Sequence, residues 1–292
     1  MNKKIGIIGC GIMGSGIIRS LYNGNFQLNI YDRNINKALK FSSNAQVFKT
    51  PKGLAANSDI IIAVTTDDIS SNEVWFGENG VILSLKENTI CIEMSTLSIN
   101  YLSKWIEKIE KKKCKALVSA MTGSRNGANT SNLDLFVGGD SVSIDIVKPI
   151  FKKISNNVFY FNKQIDAMRF KLIYNYFGAS ILIIFSEILK IIQSECDEIE
   201  QYFEILSTTG WGKLVVKKEF KKIVNKEFED IECSLLNICK DIRYAYNEYL
   251  KGKDNNLILL TKVAEIYNML EKENISKYDM SVIYKTLYLE EK

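Results

Sequence analysis

Near its start the chain runs Lys4-Ile5-Gly6-Ile7-Ile8-Gly9-Cys10-Gly11-Ile12-Met13-Gly14, an apolar stretch broken by glycines spaced G-x-G-x-x-G and then resumed as an apolar-periodic segment. Ile5 to Ile8 reads as a buried strand, Ile12 to Tyr22 as a helix, and Leu28 to Tyr31 as a second strand ending at Asp32. In that strand-turn-helix setting each glycine has a physical task. Gly9 allows the tight turn, Gly11 lets the backbone approach a pyrophosphate, and Gly14 lets the helix pack closely on the strand. The helix N-terminus then faces the phosphates with its N–H groups and the positive end of its dipole. Asp32 follows Gly14 by 18 residues, near the separation at which a carboxylate accepts from a ribose 2′-hydroxyl. The segment is expected to bind a dinucleotide, with Gly9, Cys10, Gly11, Ile12, Met13 and Gly14 as the phosphate loop and Asp32 and Arg33 at the ribose. Asp32 favours NAD because a carboxylate repels a 2′-phosphate, whereas Arg33 beside it suits NADP if Asp32 turns away.

Strand-like and helix-like segments alternate through the first half. Candidate strands are Ile5–Gly9, Leu28–Tyr31, Val47–Phe48, Ile60–Val64, Thr89–Glu93, Ala116–Ser119 and Leu133–Val137. Such alternation predicts an α/β Rossmann-type fold, a doubly wound and largely parallel sheet. Ligands of such sheets bind at the carboxyl ends of the strands, so Thr65-Thr66 and Ser95-Thr96 should face the crevice. After about Phe161 the strand signals stop. Ala167 to roughly Ser194 supports one long interdomain helix, and four or five further helical segments complete an all-α C-terminal domain. The expected division is therefore residues 1–162 as the dinucleotide-binding domain and 163–292 as a helical substrate and dimerisation domain.

With 46% hydrophobic and 25% charged residues among 292, the chain is long enough for two ordinary globular domains. Its formal charge of +4 includes no long basic run interleaved with aromatics, so nucleic acid is not an expected partner. Lys111-Lys112-Lys113 reads as a solvated helix end. The apolar stretch Phe177 to Phe185, followed by Glu187 and Lys190, reads as too short for a membrane span, which needs about 20 apolar residues. It reads instead as core or subunit interface, and no membrane partner is expected. Met1-Asn2-Lys3-Lys4 leads straight into the first strand and leaves no room for a signal peptide, which predicts a cytoplasmic protein. The 6 cysteines form no C-x-x-C pair and read as reduced core residues. Histidine is absent, which removes the commonest metal ligand and general base; no metal site is expected, and proton chemistry falls to Lys, Tyr, Asp, Glu, Cys or water.

Lys171 and Asn175 lie near the start of the long helix. Residues four apart share a helix face, so both side chains can point into one cleft. Desolvation disfavours a lysine's charged form and suits it to proton transfer, although a Lys and an Asn at this spacing are more often exposed.

The whole sequence resembles the β-hydroxyacid dehydrogenase family, which includes 3-hydroxyisobutyrate dehydrogenases. The resemblance runs nearly end to end. Its marks are Ile8-Gly9-Cys10-Gly11-Ile12-Met13-Gly14, Tyr31-Asp32-Arg33-Asn34, Phe76-Gly77-Glu78-Asn79-Gly80 and Glu93-Met94-Ser95-Thr96. Further marks are Thr122-Gly123-Ser124, the run Asn132 to Asp140, Lys171 with Asn175, Ser186-Glu187, and Lys240-Asp241-Ile242-Arg243-Tyr244-Ala245. The resemblance implies that Lys171 is the general acid/base and that Asn175 hydrogen-bonds the reacting oxygen. It implies that Thr122, Gly123 and Ser124 hold the carboxylate of a small-molecule substrate. Thr65, Thr66 and Thr96 would line the ribose and nicotinamide side of NAD or NADP, and Lys240 would reach substrate and cofactor in the closed site. Family likeness and the apolar helix also imply a homodimer or homotetramer.

Other readings stand beside these. Thr65, Thr66 and Thr96 equally suit strand-end hydrogen bonding, and Lys240-Asp241 suits a surface charge pair. Arg125 and Arg169 suit a second carboxylate or phosphate, or plain solvation. The family's glycines before the lysine are Asn162, Ile165 and Ala167 here, its Pro-Met pair after the glycine motif is Gly16-Ile17, and its substrate loop more often starts with Ser than Thr. The expected activity is hydride transfer between a nicotinamide and a small β-hydroxy acid or its semialdehyde or keto partner. The alternatives are an imine reductase on the same fold and a dinucleotide-binding module without turnover.

Overall fold

The computed structural model describes residues 3–195, 199–209, 222–223, 225–273 and 275–286. Two compact units divide the chain within one helix, Met1–Lys171 and Leu172–Lys292.

The first unit is built on an eight-stranded sheet ordered β3-β2-β1-β4-β5-β6-β7-β8. The strands are β1 (Lys4–Ile8), β2 (Gln27–Tyr31), β3 (Gln46–Val47), β4 (Ile60–Ala63), β5 (Ile90–Glu93), β6 (Lys115–Thr122), β7 (Leu133–Gly138) and β8 (Ser155–Phe161). All neighbours are parallel except β6 and β7. β1 lies between β2 and β4, with Ile5 opposite both Leu28 and Ile60. The order reverses beside β1, and that reversal opens the crevice above its carboxyl end. Strands flanked on both faces should be apolar throughout, and β4 (Ile60 to Ala63) is buried along its whole length.

Helices α1 (Ile12–Tyr22), α2 (Ile35–Leu39), α3 (Pro51–Ala56), α4 (Asp68–Phe76), α5 (Ile99–Lys111), α6 (Ser124–Asn129) and α7 (Ser141–Ile154) join these strands. Their starts are written locally. Thr50, Asp67, Ser98 and Asp140 accept backbone N–H groups at the N-termini of α3, α4, α5 and α7, each cap contributing about 1 kcal/mol. On one face of the sheet Trp75 of α4 and Trp105 of α5, both fully buried, meet edge-on with centroids 5.2 Å apart. α5 ends at Lys111, with Lys112 and Lys113 exposed beyond it, as the charge run predicts.

β8 is an addition to the expected strands. Asn156 and Asn157 have low strand propensity, and Phe159 and Tyr160 are both about half exposed on this edge strand, so period-2 alternation is lost. β3 comprises Gln46–Val47 rather than Val47–Phe48.

Helix α8 (Gln164–Glu195) has 32 residues, about 48 Å at 1.5 Å per residue. By length and composition it is long and apolar enough to cross a membrane, so the expectation of a stretch too short to span is corrected. Glu187 and Lys190 interrupt the apolar residues without shortening the helix. In the second unit Ala179, Leu182, Ile183, Phe185 and Leu189 of α8 pack into a buried cluster with Leu235, Ile238, Cys239 and Ile242 of α10 (Leu235–Tyr249) and Val263, Ala264 and Tyr267 of α11 (Ile258–Glu271). α9 (Ile199–Thr208) and a 3₁₀ turn (Met280–Thr286) are further helical segments of this unit. Buried Lys222 meets Asp279 at 3.1 Å and donates to the Asp230 carbonyl, fastening this unit's C-terminal turn.

Among the described residues Cys10, Cys91, Cys114, Cys233 and Cys239 are outside any disulfide, and all but Cys233 are buried. Cys196 lies outside the described residues.

Candidate dinucleotide and active site

The glycine loop takes the shape its spacing demands. Gly9 has φ of +101°, and a Cβ there would stand 2.2 Å from the Val64 carbonyl oxygen; a Cβ on Gly14 would stand 2.0 Å from the Gly9 oxygen. Only glycine permits that turn and that approach of helix to strand. Gly11 differs: a Cβ there meets nothing within 4 Å. Its missing side chain therefore opens space instead of relieving a clash. Gly11 is also the N-cap of α1 and supplies no side-chain cap, so the first N–H groups of α1 face that space without the oxygen ligands that Thr50, Asp67, Ser98 and Asp140 give their helices. Open backbone at an uncapped helix start fits a pyrophosphate.

Asp32 stands beside this loop at the end of β2. Its Oδ2 accepts the Cys10 N–H at 2.7 Å and its Oδ1 accepts the Asn34 N–H at 2.8 Å. The carboxylate is thus fixed by backbone donors on both oxygens, and Arg33 next to it is exposed. Burial, helped by the Asp32 carboxylate, pushes the Cys10 thiol up to about 12. Ile12 is half exposed and Met13 partly buried at the start of α1.

Past β4 and β5 the two strand-end segments are tied together. The Thr65 N–H donates to Ser95 Oγ at 2.7 Å, and the two hydroxyls lie 3.0 Å apart. Thr66 Oγ1 lies 3.1 Å from Ser70 Oγ, and Thr96 is partly buried. Under Ser95 lies Glu93, fully buried, which accepts from Ser71 Oγ, Trp75 Nε1 and the Ser95 N–H. Burial pushes its carboxyl above the ordinary value, and those hydrogen bonds pull against the rise. In the sequence Glu93 is marked only as the first residue of the family-like run Glu93-Met94-Ser95-Thr96, with no role attached to it.

Thr122 closes β6, and Gly123 and Ser124 follow with φ of +127° and +55°. Two successive residues at positive φ turn the chain sharply from β6 into α6. Gly127 N–H closes that turn on the Gly123 carbonyl at 2.8 Å. Arg125 is partly buried, and exposed Arg169 pairs with Asp166 at 3.5 Å.

Lys171 is 6% exposed, and Asn175 follows it one turn along α8. Within the second unit the Asn175 Nδ2 donates to Asp241 Oδ2 at 2.5 Å, and Asp241 Oδ1 lies 3.1 Å from Lys240 Nζ. Lys240 and Asp241, on α10, are 9% and 5% exposed, so the surface-pair reading of these two residues is overturned. A buried pair of opposite charges with an amide on the acid is a built constellation, since either charge alone would be costly to desolvate. Asp241 is the member the sequence left without a role; its signals there are an acid beside a lysine and its place in the family-like run Lys240 to Ala245.

Residues 4–162 match the family model described as the NAD binding domain of 6-phosphogluconate dehydrogenase. The chain is 26% identical over 287 residues to the uncharacterized oxidoreductase YkwC of Bacillus subtilis, covering 98% of this chain and 99% of that protein. Among solved structures, a 3-hydroxyisobutyrate dehydrogenase from Mycobacterium tuberculosis, studied with L-serine, superposes with a TM-score of 0.86 at 17% identity over 99% of this chain and 100% of the other. An imine reductase from Bacillus cereus gives 0.62 at 14% identity over 98% and 99%. The cofactor is NAD or NADP. The chain belongs to the 6-phosphogluconate dehydrogenase family of NAD-binding oxidoreductases and is β-hydroxyacid dehydrogenase-like within it.

Proposed function

We propose that the protein transfers a hydride between NAD(H) or NADP(H) and a small β-hydroxy acid or its semialdehyde or keto partner. The bound nicotinamide supplies the hydride acceptor or donor. Lys171 gives a proton to the substrate oxygen in reduction and removes one in oxidation. Asn175 hydrogen-bonds the same oxygen: one of its amide hydrogens is held by Asp241, which fixes the direction of the rest of the amide. The turn Thr122-Gly123-Ser124 binds the substrate carboxylate through its hydroxyls and backbone donors, and Lys240 supplies a fixed positive charge when the site closes. Holding both reactants in register does much of the catalysis. The observation that carries this reading is the burial of Lys171 one turn before an asparagine that is itself anchored on a buried acid.

Asp32, held on both oxygens, supports a preference for NAD(H), because releasing it for a 2′-phosphate would break two backbone hydrogen bonds. A homo-oligomer in the cytoplasm belongs to the same proposal. Its support is the exposed apolar series Ile173, Phe177, Ile184, Ile188 and Ile191 on α8, spaced to follow one side of a helix.

The test is oxidation of NADH and NADPH by wild type and Lys171→Ala over small semialdehydes, keto acids and cyclic imines. A carboxylate-bearing carbonyl is the expected substrate, with a loss of at least about a hundredfold in the variant, the lower scale of general acid/base contributions. Turnover indifferent to Lys171, or confined to imines, would point to an imine reductase. Cofactor binding with no turnover of any carbonyl or imine would leave a non-catalytic module.

A further inference from the structure

Glu93 ends β5 with no exposed surface and takes hydrogen bonds from two segments, α4 and the stretch that follows β5. Its Oε2 accepts from Ser71 Oγ and Trp75 Nε1 of α4, both at 2.8 Å, and its Oε1 accepts the Ser95 N–H at 3.0 Å. Tyr101 of α5 donates to Ser71 at 2.9 Å, which leaves the Ser71 hydroxyl hydrogen for Glu93. Ser95, so fixed, takes the Thr65 N–H on its Oγ. A second tie runs parallel: Asp68, which opens α4, accepts the Ser98 N–H and hydroxyl at 2.9 and 2.5 Å. The segments ending β4 and β5 are therefore joined to each other and anchored from below on one buried carboxyl group.

A doubly wound sheet holds its dinucleotide across the reversal of strand order. With the phosphate loop after β1 and Asp32 after β2, the adenosine half lies on the β2 side and the nicotinamide half over the ends of β4 and β5. We propose that Glu93 is a positioning residue for the nicotinamide half, setting through Ser95 and Thr65 the height and spacing of the two strand ends that meet it. This inference rests on the reading of Thr65, Thr66 and Thr96 as nicotinamide-side residues. Glu93 itself stays out of contact with the cofactor.

The chemistry of the donors makes the carboxyl group specific. The Trp75 indole and the Ser95 backbone can only donate, one to each oxygen of Glu93. Glutamine would present its amide nitrogen to one or the other in either orientation, leaving a buried donor facing a donor. Aspartate, shorter by one methylene, could not span from β5 to α4 and back to Ser95.

The test separates the two halves of the cofactor. Binding of ADP-ribose, which lacks the nicotinamide, and of NADH or NADPH, whichever wild type holds more tightly, is measured by calorimetry on wild type, Glu93→Gln and Ser95→Ala. Ser95→Ala keeps the backbone N–H of residue 95 and the Ser71 and Trp75 donors on Glu93 and removes the hydroxyl that links Glu93 to Thr65, so it stands in if the glutamine variant fails to fold. The reduced dinucleotide is expected to bind about tenfold more weakly in the variants, the scale of one good hydrogen bond, with ADP-ribose held within about twofold of wild type. Unchanged dinucleotide binding in the variants, or equal weakening of both ligands, overturns the inference and leaves Glu93 a core residue. Wild type binding ADP-ribose as tightly as the whole dinucleotide would instead overturn the nicotinamide-side reading beneath it.

Discussion

Gly16 of α1 lies against Ala128 of α6 so closely that a Cβ on Gly16 would stand 2.6 Å from the Ala128 carbonyl carbon and oxygen. α1 carries the proposed phosphate loop at its start and α6 carries Gly123-Ser124 at its own, so one backbone contact couples the proposed cofactor cradle to the proposed substrate turn. Ser20 and Ser131 continue the seam, the Ser131 hydroxyl donating to Ser20 at 2.7 Å.

That contact decides the sign of Gly16→Ala. Alanine gains about 1 kcal/mol of helix propensity, but the clash is with backbone and costs about 1–3 kcal/mol. The variant should melt several degrees lower, as thermal unfolding reads directly, and should raise KM for both cofactor and substrate. A variant more stable than wild type would show that the two helices part easily.

Asp241→Ala removes the acceptor for Asn175 and leaves Lys240 buried beside a void. Breaking a buried pair on one side costs about 3–5 kcal/mol of stability, whereas Asp241→Asn keeps the volume and loses the charge. If Asn175 works through Asp241, Asp241→Asn should lower kcat about tenfold to a hundredfold while the affinity for cofactor, measured without substrate, stays put. Steady-state kinetics paired with a binding titration separates these.

With its thiol pushed up to about 12 by burial and the Asp32 carboxylate, Cys10 is protonated throughout the working range. The thiolate is the nucleophile, so iodoacetamide at pH 8 should leave Cys10 unlabelled in the folded protein and modify it after unfolding. Peptide mapping by mass spectrometry checks this. Fast labelling of Cys10 in the native state would mean that the loop opens.

Burial raises the Glu93 carboxyl from 4.5. A carboxyl whose folded value is raised holds its proton longer in the folded state, so the stabilisation is complete below about 4.5, the unfolded value, and is lost as pH climbs through the folded one. The melting temperature of wild type minus that of Glu93→Gln should therefore fall across this window and level off above it. A difference that grows with pH would show that the hydrogen bonds of Ser71, Trp75 and Ser95 outweigh desolvation.

The glycine turn after β1 was legible because its geometry admits so few residues: the turn at Gly9 and the contact of Gly14 with the Gly9 oxygen leave no room for a side chain. Asp32 followed from the fixed length of a strand-helix-strand unit. β8 was not legible, since an edge strand with exposed Phe159 and Tyr160 and a pair of asparagines carries neither alternation nor propensity. The bond from Asn175 to Asp241 joins residues 66 apart in the chain, and the burial that turns Lys240-Asp241 from a surface pair into an anchor is a tertiary fact. Glu93 is the same case: the role proposed for it lies in its donors, which come from one helix and a strand end.

One side of α8 is apolar and exposed. Ile173, Phe177, Ile184, Ile188 and Ile191 are each between 38% and 63% exposed, while the residues between them on the other side of the helix fill the core of the second unit. A second copy is the proposed cover. Phe177→Lys with Ile184→Lys places two charges on the exposed side and touches no buried residue, so folding should survive while self-association weakens. Sedimentation velocity should show wild type as a dimer or tetramer and the double variant shifted toward monomer, with circular dichroism unchanged. A wild type that sediments as a monomer, or a double variant that assembles as wild type does, would remove the exposed side of α8 from the interface.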